Sequence, residues 1–398
     1  MIELLITITL LCTYQINFGG ELRLVDILLV AIFVWGAIRQ KKLFFDKNIL
    51  TLIVIRIIYI LLSLLILGCF SVATVMSMGY YIEFIFVFMI IHLYKANIDF
   101  NRMWNILSLL FIANTILALF QFVVHGGGVR SYGLFGSSSI CYFLPLIIYG
   151  IFLGRDNLQK KKYLLFTVLG IIDALLSEQR TLILIIFINI LVFMFMNKEI
   201  SVKKFPKIAI GVIVGGLAIY YWIPESLKVF YMNKILEVFS SINVDNDSSM
   251  YVRYVLWECA VNMFKASPII GIGSGMFARQ GLSGLSKYTN RTITKRVVGL
   301  STHNNFLEYL CELGSIGTIL TYLLIIFISR NIKKMHDVVC GKETYTFKIL
   351  YSSFISLCLY DFIGQSSFMY FWSFSILLIY SYIYTCDKRG TQIVVDRV

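Results

Sequence analysis

Apolar runs of bilayer-crossing length recur along nearly the whole of this 398-residue chain, and most of the links between them are short. A helix needs about 17–25 mostly apolar residues to cross the hydrocarbon core, with shorter ones tolerated inside a bundle. Twelve spans are predicted, at 2–17, 24–38, 49–70, 78–94, 103–124, 139–154, 163–179, 181–197, 207–224, 304–329, 347–364 and 367–385. Composition agrees: 59% of residues are hydrophobic, 14% are charged and the mean hydropathy is +0.81. Soluble domains carry about a quarter charged residues, and a water-soluble core of this size could not bury so much apolar surface. The predicted fold class is an all-α polytopic membrane protein.

The net charge of +13 raises the question of a nucleic-acid partner. The basic residues answer it by falling in short runs between apolar segments, such as Arg39-Gln40-Lys41-Lys42 and Lys160-Lys161-Lys162. No long basic face with interleaved aromatics is present, so nucleic acid is excluded as a partner. Loops on the cytoplasmic side of a membrane carry an excess of Lys and Arg. With an inward N-terminus, segments 39–48, 95–102, 155–162, 198–206, 330–348 and 386–398 face the cytoplasm and hold more than half of the 35 Lys and Arg. Three short outer links carry one arginine apiece, Arg23, Arg130 and Arg180. The pattern predicts both termini in the cytoplasm. It also favours a break of the 163–197 stretch into two helices at Ser177–Arg180 over one long tilted helix, because only the break keeps the charges consistent. The run Ile2–Ile16 lacks a basic leader and a small-residue cleavage site, so it is read as a retained span.

One link differs from the rest. Residues 225–303 form an outer segment far longer than the usual connection, dividing the chain into 1–224 with spans one to nine, the loop 225–303, and 304–398 with spans ten to twelve and a short cytoplasmic tail. Two helices are expected in the loop. Pro224-Glu225-Ser226 opens 226–240, and Asp247-Ser248-Ser249 caps an aromatic, amphipathic helix over 250–266 that stops before Ser267-Pro268. Both suit the membrane surface.

Ionisable residues inside spans are costly and so are functional candidates. They are Asp26, Arg56, Glu83, Asp173, Arg180, Glu308, Glu312 and Asp361. Arg56 can snorkel to the cytoplasm, and Asp26 and Glu83 lie near span ends. Asp361 has no evident partner in the sequence. Asp173 and Arg180 are seven apart, about 10 Å along one face of a continuous helix, where an ion pair through a third group explains them as well as catalysis does. Arg180, Arg253 and His303 stand apart because the topology brings them to one level, the outer headgroup region. A basic cluster there is suited to an anionic ligand. Of the four histidines, His336 is in a basic inner link, His92 is at an inner span end and His125 begins a glycine turn. Only His303 joins an outer position to polar neighbours at a helix start, where an imidazole with an ordinary pKa near 6.5 suits a general base.

Other motifs carry less. Gly271-Ile272-Gly273-Ser274-Gly275 follows no strand and is read as a turn leading the loop away from Pro268. The eight cysteines show no CxxC and no Cys/His ligand spacing, and no acidic pair suggests a divalent ion, so neither a metal nor another cofactor is expected.

Three motifs in order resemble the O-antigen ligase and polymerase superfamily. They are Ser177-Glu178-Gln179-Arg180-Thr181, then Arg253-x-x-Leu256-Trp257-Glu258 running on to Ser267-Pro268-Ile269-Ile270-Gly271, then His303-Asn304-Asn305-Phe306-Leu307-Glu308 with Glu312, Gly314 and Gly317. The resemblance covers about residues 163–330. It implies a GT-C-like, metal-independent glycosyltransferase of the bacterial cytoplasmic membrane, whose donor is an oligosaccharide on undecaprenyl pyrophosphate. By the same resemblance His303 takes the acceptor proton and Arg180 and Arg253 hold the pyrophosphate. Arg130 is a weaker candidate for pyrophosphate or sugar, from its place in the glycine-rich outer link before Ser131-Tyr132-Gly133. Guanidinium groups suit that task without a metal, since they meet phosphate oxygens two at a time. Glu308 and Glu312 lie about 140° and 180° round a helix from His303, which assigns them to anchoring span ten within the bundle.

Within that superfamily the first reading is a polymerase of O-antigen or capsule repeat units. The bilayer, a chain-length regulator and a flippase are its expected partners. The alternative is an O-antigen ligase passing the glycan to lipid A core. Ligases of that kind often carry a second histidine two residues before the catalytic one, where this chain has Ser301. A flippase or other transporter also fits the hydropathy, but transporters build midplane sites on structural repeats, and here the candidates gather at one outer surface.

Overall fold

The computed structural model describes residues 24–40, 47–70, 86–91, 93–94, 98–125, 131, 133–135, 140–153, 161–177, 180–198, 249–291, 293, 297–340, 344–362 and 368–395. Spans 2–17 and 207–224, the expected helix 226–240, Glu83, His92 and Arg130 lie outside them. Among the described residues there is no strand. The helices are α1 (Leu24–Gln40), α2 (Lys47–Ile66), α3 (Phe100–Val124), α4 (Ile140–Leu153), α5 (Lys161–Leu176), α6 (Arg180–Met196), α7 (Ser249–Ala266), the single turn α8 (Leu282–Leu285), α9 (Asn305–Cys340), α10 (Tyr345–Tyr360) and α11 (Phe368–Val395), with residues 86–91 also helical.

Asn48–Ile66, Phe100–Val124 and Asn305–Cys340 are long and apolar enough to cross a bilayer. Their outward faces carry exposed Ile58, Leu62, Leu109, Ile116, Phe120 and Ile319, an apolar exterior that water does not favour and lipid does. Small polar residues instead point inward, among them Asn189, Thr318, Thr321, Ser352, Ser353 and Ser356. In hydrocarbon such hydroxyls and amides link helices. Asn189 Nδ2 donates to Ser353 Oγ over 2.9 Å, and Lys348 Nζ to Asn197 Oδ1 over 3.0 Å. Those two bonds fix α6 and α10 side by side and antiparallel. The chain does break between α5 and α6, which end and begin at Leu176 and Arg180.

Two helices run further than their hydropathy indicates. α9 continues through the basic stretch to Cys340 because Met335 and Val339 still pack on the core and the buried His336 ring stacks on Phe347, centroids 3.6 Å apart. α11 reaches Val395, and Lys388 Nζ donates to the Ile98 carbonyl over 3.0 Å.

α9 is not one helix. Gly314 takes φ 63° and ψ −170°, which divides it, and the segment after α7 fills the gap. The amides of Ile272 and Gly273 donate to the carbonyls of Cys311 and Glu312, at 2.8 and 2.9 Å. Below the break, Ser315 N donates to Pro268 O over 2.8 Å and Ile316 N to Ile269 O over 3.4 Å. Tyr59 of α2 donates its hydroxyl to the Leu313 carbonyl, 2.6 Å away. Three carbonyls and two amides that the helix gives up thus find partners, as burial requires. The approach is too close for side chains. A Cβ on Gly314 would collide with the Ile269 carbonyl, and one on Gly271, at φ +71°, with the Glu312 carbonyl. The expected turn away from Pro268 is therefore corrected: 267–273 folds back into the helix.

α7 also packs on α9. Tyr251, Val255, Leu256, Cys259 and Met263 form a second small core with Phe277, Leu285, Val297 and Cys311. Polar ties hold 285–291 along α7. Asn262 Nδ2 donates to Tyr288 O over 2.8 Å, Thr289 Oγ1 to Glu258 Oε2 over 2.9 Å, and Arg291 Nε to the same oxygen over 3.1 Å, while its guanidinium lies 4.3 Å from the Tyr254 ring centroid. This is a packed unit rather than a lone helix lying on a surface.

Candidate functional site

His303 occupies the turn that feeds α9, at φ 53°. Left-handed backbone at a residue with a Cβ costs roughly 1–2 kcal/mol and persists only where its surroundings impose it. Here both neighbours are fixed. Trp257 Nε1 of α7 donates to the Thr302 carbonyl over 3.0 Å. The Thr302 hydroxyl donates to the Asn304 carbonyl over 2.6 Å and lies 3.2 Å from Glu308 Oε2. On the other side, Asn304 caps α9 by accepting from Leu307 N at 3.0 Å, while its Nδ2 donates to Phe362 O over 2.9 Å. His303 itself is half-buried.

Asp361, fully buried at the end of α10, is part of the same construction. Asn305 Nδ2 donates to its Oδ1 over 2.9 Å, and Phe306 N to its carbonyl over 3.2 Å. Beneath lie the rings of Phe306, Tyr322 and Phe362, the last two stacked at 5.4 Å. The sequence offers no sign of this, because Asp361 and Asn305 are 56 residues apart.

Arg253 lies one helical turn before Trp257 on α7, hence on the face that touches the His303 turn. It is half-buried, and among the described residues none forms an ion pair or hydrogen bond with its guanidinium. Arg180 opens α6. Its level follows from the antiparallel register: nine residues back from Asn189 is Arg180, and nine forward from Ser353 is Phe362. Arg180 therefore begins α6 at the end of the bundle where Asp361 and Phe362 grip Asn304 and Asn305. Arg130 is outside the described residues, but its neighbour Ser131 donates its amide to Leu176 O over 3.2 Å, joining that loop to the turn before Arg180.

The two glutamates need correcting. His303 precedes the helix, so the 140° and 180° angles counted from it do not apply. Glu308 reaches the His303 turn through Thr302 instead. Glu312 accepts from Gly275 N at 2.8 Å and Phe277 N at 2.9 Å, so its carboxylate holds the loop that fills the break rather than the bundle. Among the described residues no cluster of His, Cys, Asp and Glu could hold a metal ion.

Residues 165–322 match the family model described as O-antigen ligase. That stretch runs from α5 past the Gly314 break and includes Arg180, Arg253 and His303. An 80-residue segment is 30% identical to the exopolysaccharide production protein ExoQ of Rhizobium meliloti (strain 1021), covering 20% of this chain and 18% of that relative. The chain thus matches under a fifth of the relative's length. The apolar helices describe an integral membrane protein, and over residues 165–322 the chain is similar to the O-antigen ligase family, a stretch that holds all three of the residues singled out above.

Proposed function

We propose that the protein is a polysaccharide polymerase that joins undecaprenyl-pyrophosphate-linked oligosaccharide repeat units at the outer face of the cytoplasmic membrane. The observation that carries this reading is the common end of the bundle shared by the fixed His303 turn, the α7 face bearing Arg253 and the start of α6 at Arg180. His303 takes the proton from an acceptor hydroxyl as that oxygen bonds to C1 of the donor sugar. The bond from C1 to the pyrophosphate oxygen breaks, and undecaprenyl pyrophosphate leaves with the electron pair. Arg180, Arg253 and, more weakly, Arg130 meet the charge that develops on it, which preorganised guanidinium groups stabilise without a metal. A turn that is tied on both sides suits a base, because the imidazole must stand ready at one height.

The acceptor in a polymerase is a second lipid-linked unit, supplied across the bilayer by a flippase, and a chain-length regulator is the natural partner of the growing glycan. The ligase reading has the matched family's description in its favour, and one experiment separates the two. The gene is deleted and surface glycan is resolved on a gel. Loss of the ladder with a single unit retained is the polymerase result, and loss of all surface attachment is the ligase result. An unchanged profile overturns both.

A further inference from the structure

The buried polar cluster between α3 and α5 has no part in the chemistry above, yet it lies against the turn that leads to Arg180. Asn114 is fully buried and Asp173 is 4% exposed. Asn114 Nδ2 donates to Asp173 Oδ2 over 2.9 Å, while Asn114 Oδ1 accepts from the amides of Leu134 and Phe135 at 2.8 and 3.3 Å. Two turns along the same face of α3, Gln121 takes Gly133 at both ends: Gly133 N donates to Oε1 over 3.0 Å, and Nε2 donates to Gly133 O over 3.3 Å. Gly133 sits at φ +69°, where a Cβ would collide with Asn114. The loop is then joined to α5 by the bond from Ser131 to Leu176, and Asp173 O accepts from Ser177 N at 3.0 Å. Arg180 is three residues further on.

We propose that Asn114, Gln121 and Asp173 are positioning residues for the pyrophosphate-holding end of the bundle. They make α3, the Ser131–Phe135 loop and the Leu176–Ser177 turn one hydrogen-bonded body, and so set the height at which the chain delivers Arg180. The inference rests on the reading of Arg180 as a pyrophosphate ligand. A carboxylate is an expensive tie at this depth, and apolar packing would suffice if the loop had only to be covered. An amide–carboxylate pair instead fixes direction, because Asn114 must present its oxygen to the loop while its NH₂ group faces Asp173.

The test uses the purified full chain in detergent, its thermal unfolding followed at increasing inorganic pyrophosphate. A ligand that binds the folded state raises the melting temperature with concentration, so the concentration needed for a given rise reports affinity. Asn114→Asp sets two carboxylates face to face and should need about tenfold more pyrophosphate than wild type. The exchanged pair, Asn114→Asp with Asp173→Asn, restores a donor facing an acceptor and keeps an oxygen for Leu134 and Phe135, so it should return to wild-type affinity. Rescue of affinity by exchange is not expected of a residue that only adds stability. Should Asn114→Asp alone not fold, the exchanged pair and Gln121→Met, which keeps length and loses both contacts to Gly133, carry the comparison. If Arg180→Lys weakens pyrophosphate binding while folded clamp variants bind like wild type, the positioning role is overturned. A folded exchanged pair as weak as Asn114→Asp overturns it too. If Arg180→Lys binds like wild type, the reading of Arg180 fails first and the positioning role falls with it.

Discussion

The indole of Trp257 donates to the carbonyl of Thr302, so a helix of the long loop grips the residue next to His303. Through this one contact, at 3.0 Å, the loop and the membrane-embedded α9 share a turn. Trp257→Phe keeps an aromatic ring in place and loses the indole N–H, leaving a carbonyl without its donor, which costs roughly 1–3 kcal/mol. The expected result is folded, inserted protein with transfer activity about ten- to a hundredfold lower. Wild-type chain length in a complemented deletion strain would show that the grip does not matter.

His303→Ala is expected to abolish polymerisation with insertion intact, since removing a general base costs about 10²–10⁴-fold. His303→Gly is the sharper variant. Glycine accepts left-handed backbone without penalty, so this protein should melt at or above the wild-type temperature and still make no polymer. An active His303→Gly would exclude the imidazole from the reaction.

Arg180→Lys and Arg253→Lys should both be severely impaired, because lysine keeps the charge and loses the planar fork that spans two phosphate oxygens. Full activity of either lysine variant in the gel assay would reduce that residue to a diffuse positive field. Chelation by EDTA should leave activity unchanged, and a divalent requirement would overturn a charge balance built on arginine alone.

Gly314→Ala and Gly271→Ala should each lower the yield of folded protein. Left-handed backbone alone costs roughly 1–2 kcal/mol, and the added methyl would strike a carbonyl in the crossing strand of chain. Detergent-resistant folded fractions equal to wild type would mean that the two segments can part without harm.

The orientation is open to direct labelling. Ser283 is exposed within α8 and Lys334 is exposed near the end of α9. Relative to the parent chain, Ser283→Cys should react with an impermeant thiol reagent added outside intact cells, and Lys334→Cys should not. Native Cys259 adds little background, because burial first and the Glu258 carboxylate second push its thiol up to about 11, and the thiol form is a poor nucleophile at neutral pH. Reversed labelling would invert the topology and remove the site from the donor's side.

Local signals in the sequence proved readable. The break before Arg180 followed from charge, and the helix expected at 250–266 is Ser249–Ala266. What stayed hidden is long-range. Nothing near Gly314 announces a break, since the bonds that replace the helical ones come from 267–273, some forty residues earlier. Asp361 looks solitary in sequence because its partners sit at the head of another helix. His303 was legible as a candidate from its polar neighbours, but its left-handed backbone arises from ties to Trp257 and Phe362, which sequence spacing cannot express.

The filled break in α9 has a consequence for how the protein is made. The amides of Ser315 and Ile316 cannot enter hydrocarbon unpaired without a penalty of several kcal/mol each, and their acceptors are Pro268 and Ile269. Those acceptors leave the ribosome first. With the long loop on the outer side, as the proposed topology has it, the stretch beyond α7 is already across the bilayer when the lower half of α9 is threaded in, so the fold closes in the direction of synthesis. A circular permutant that presents α9 before α7 would have to insert a helix whose midpoint has nothing to bind.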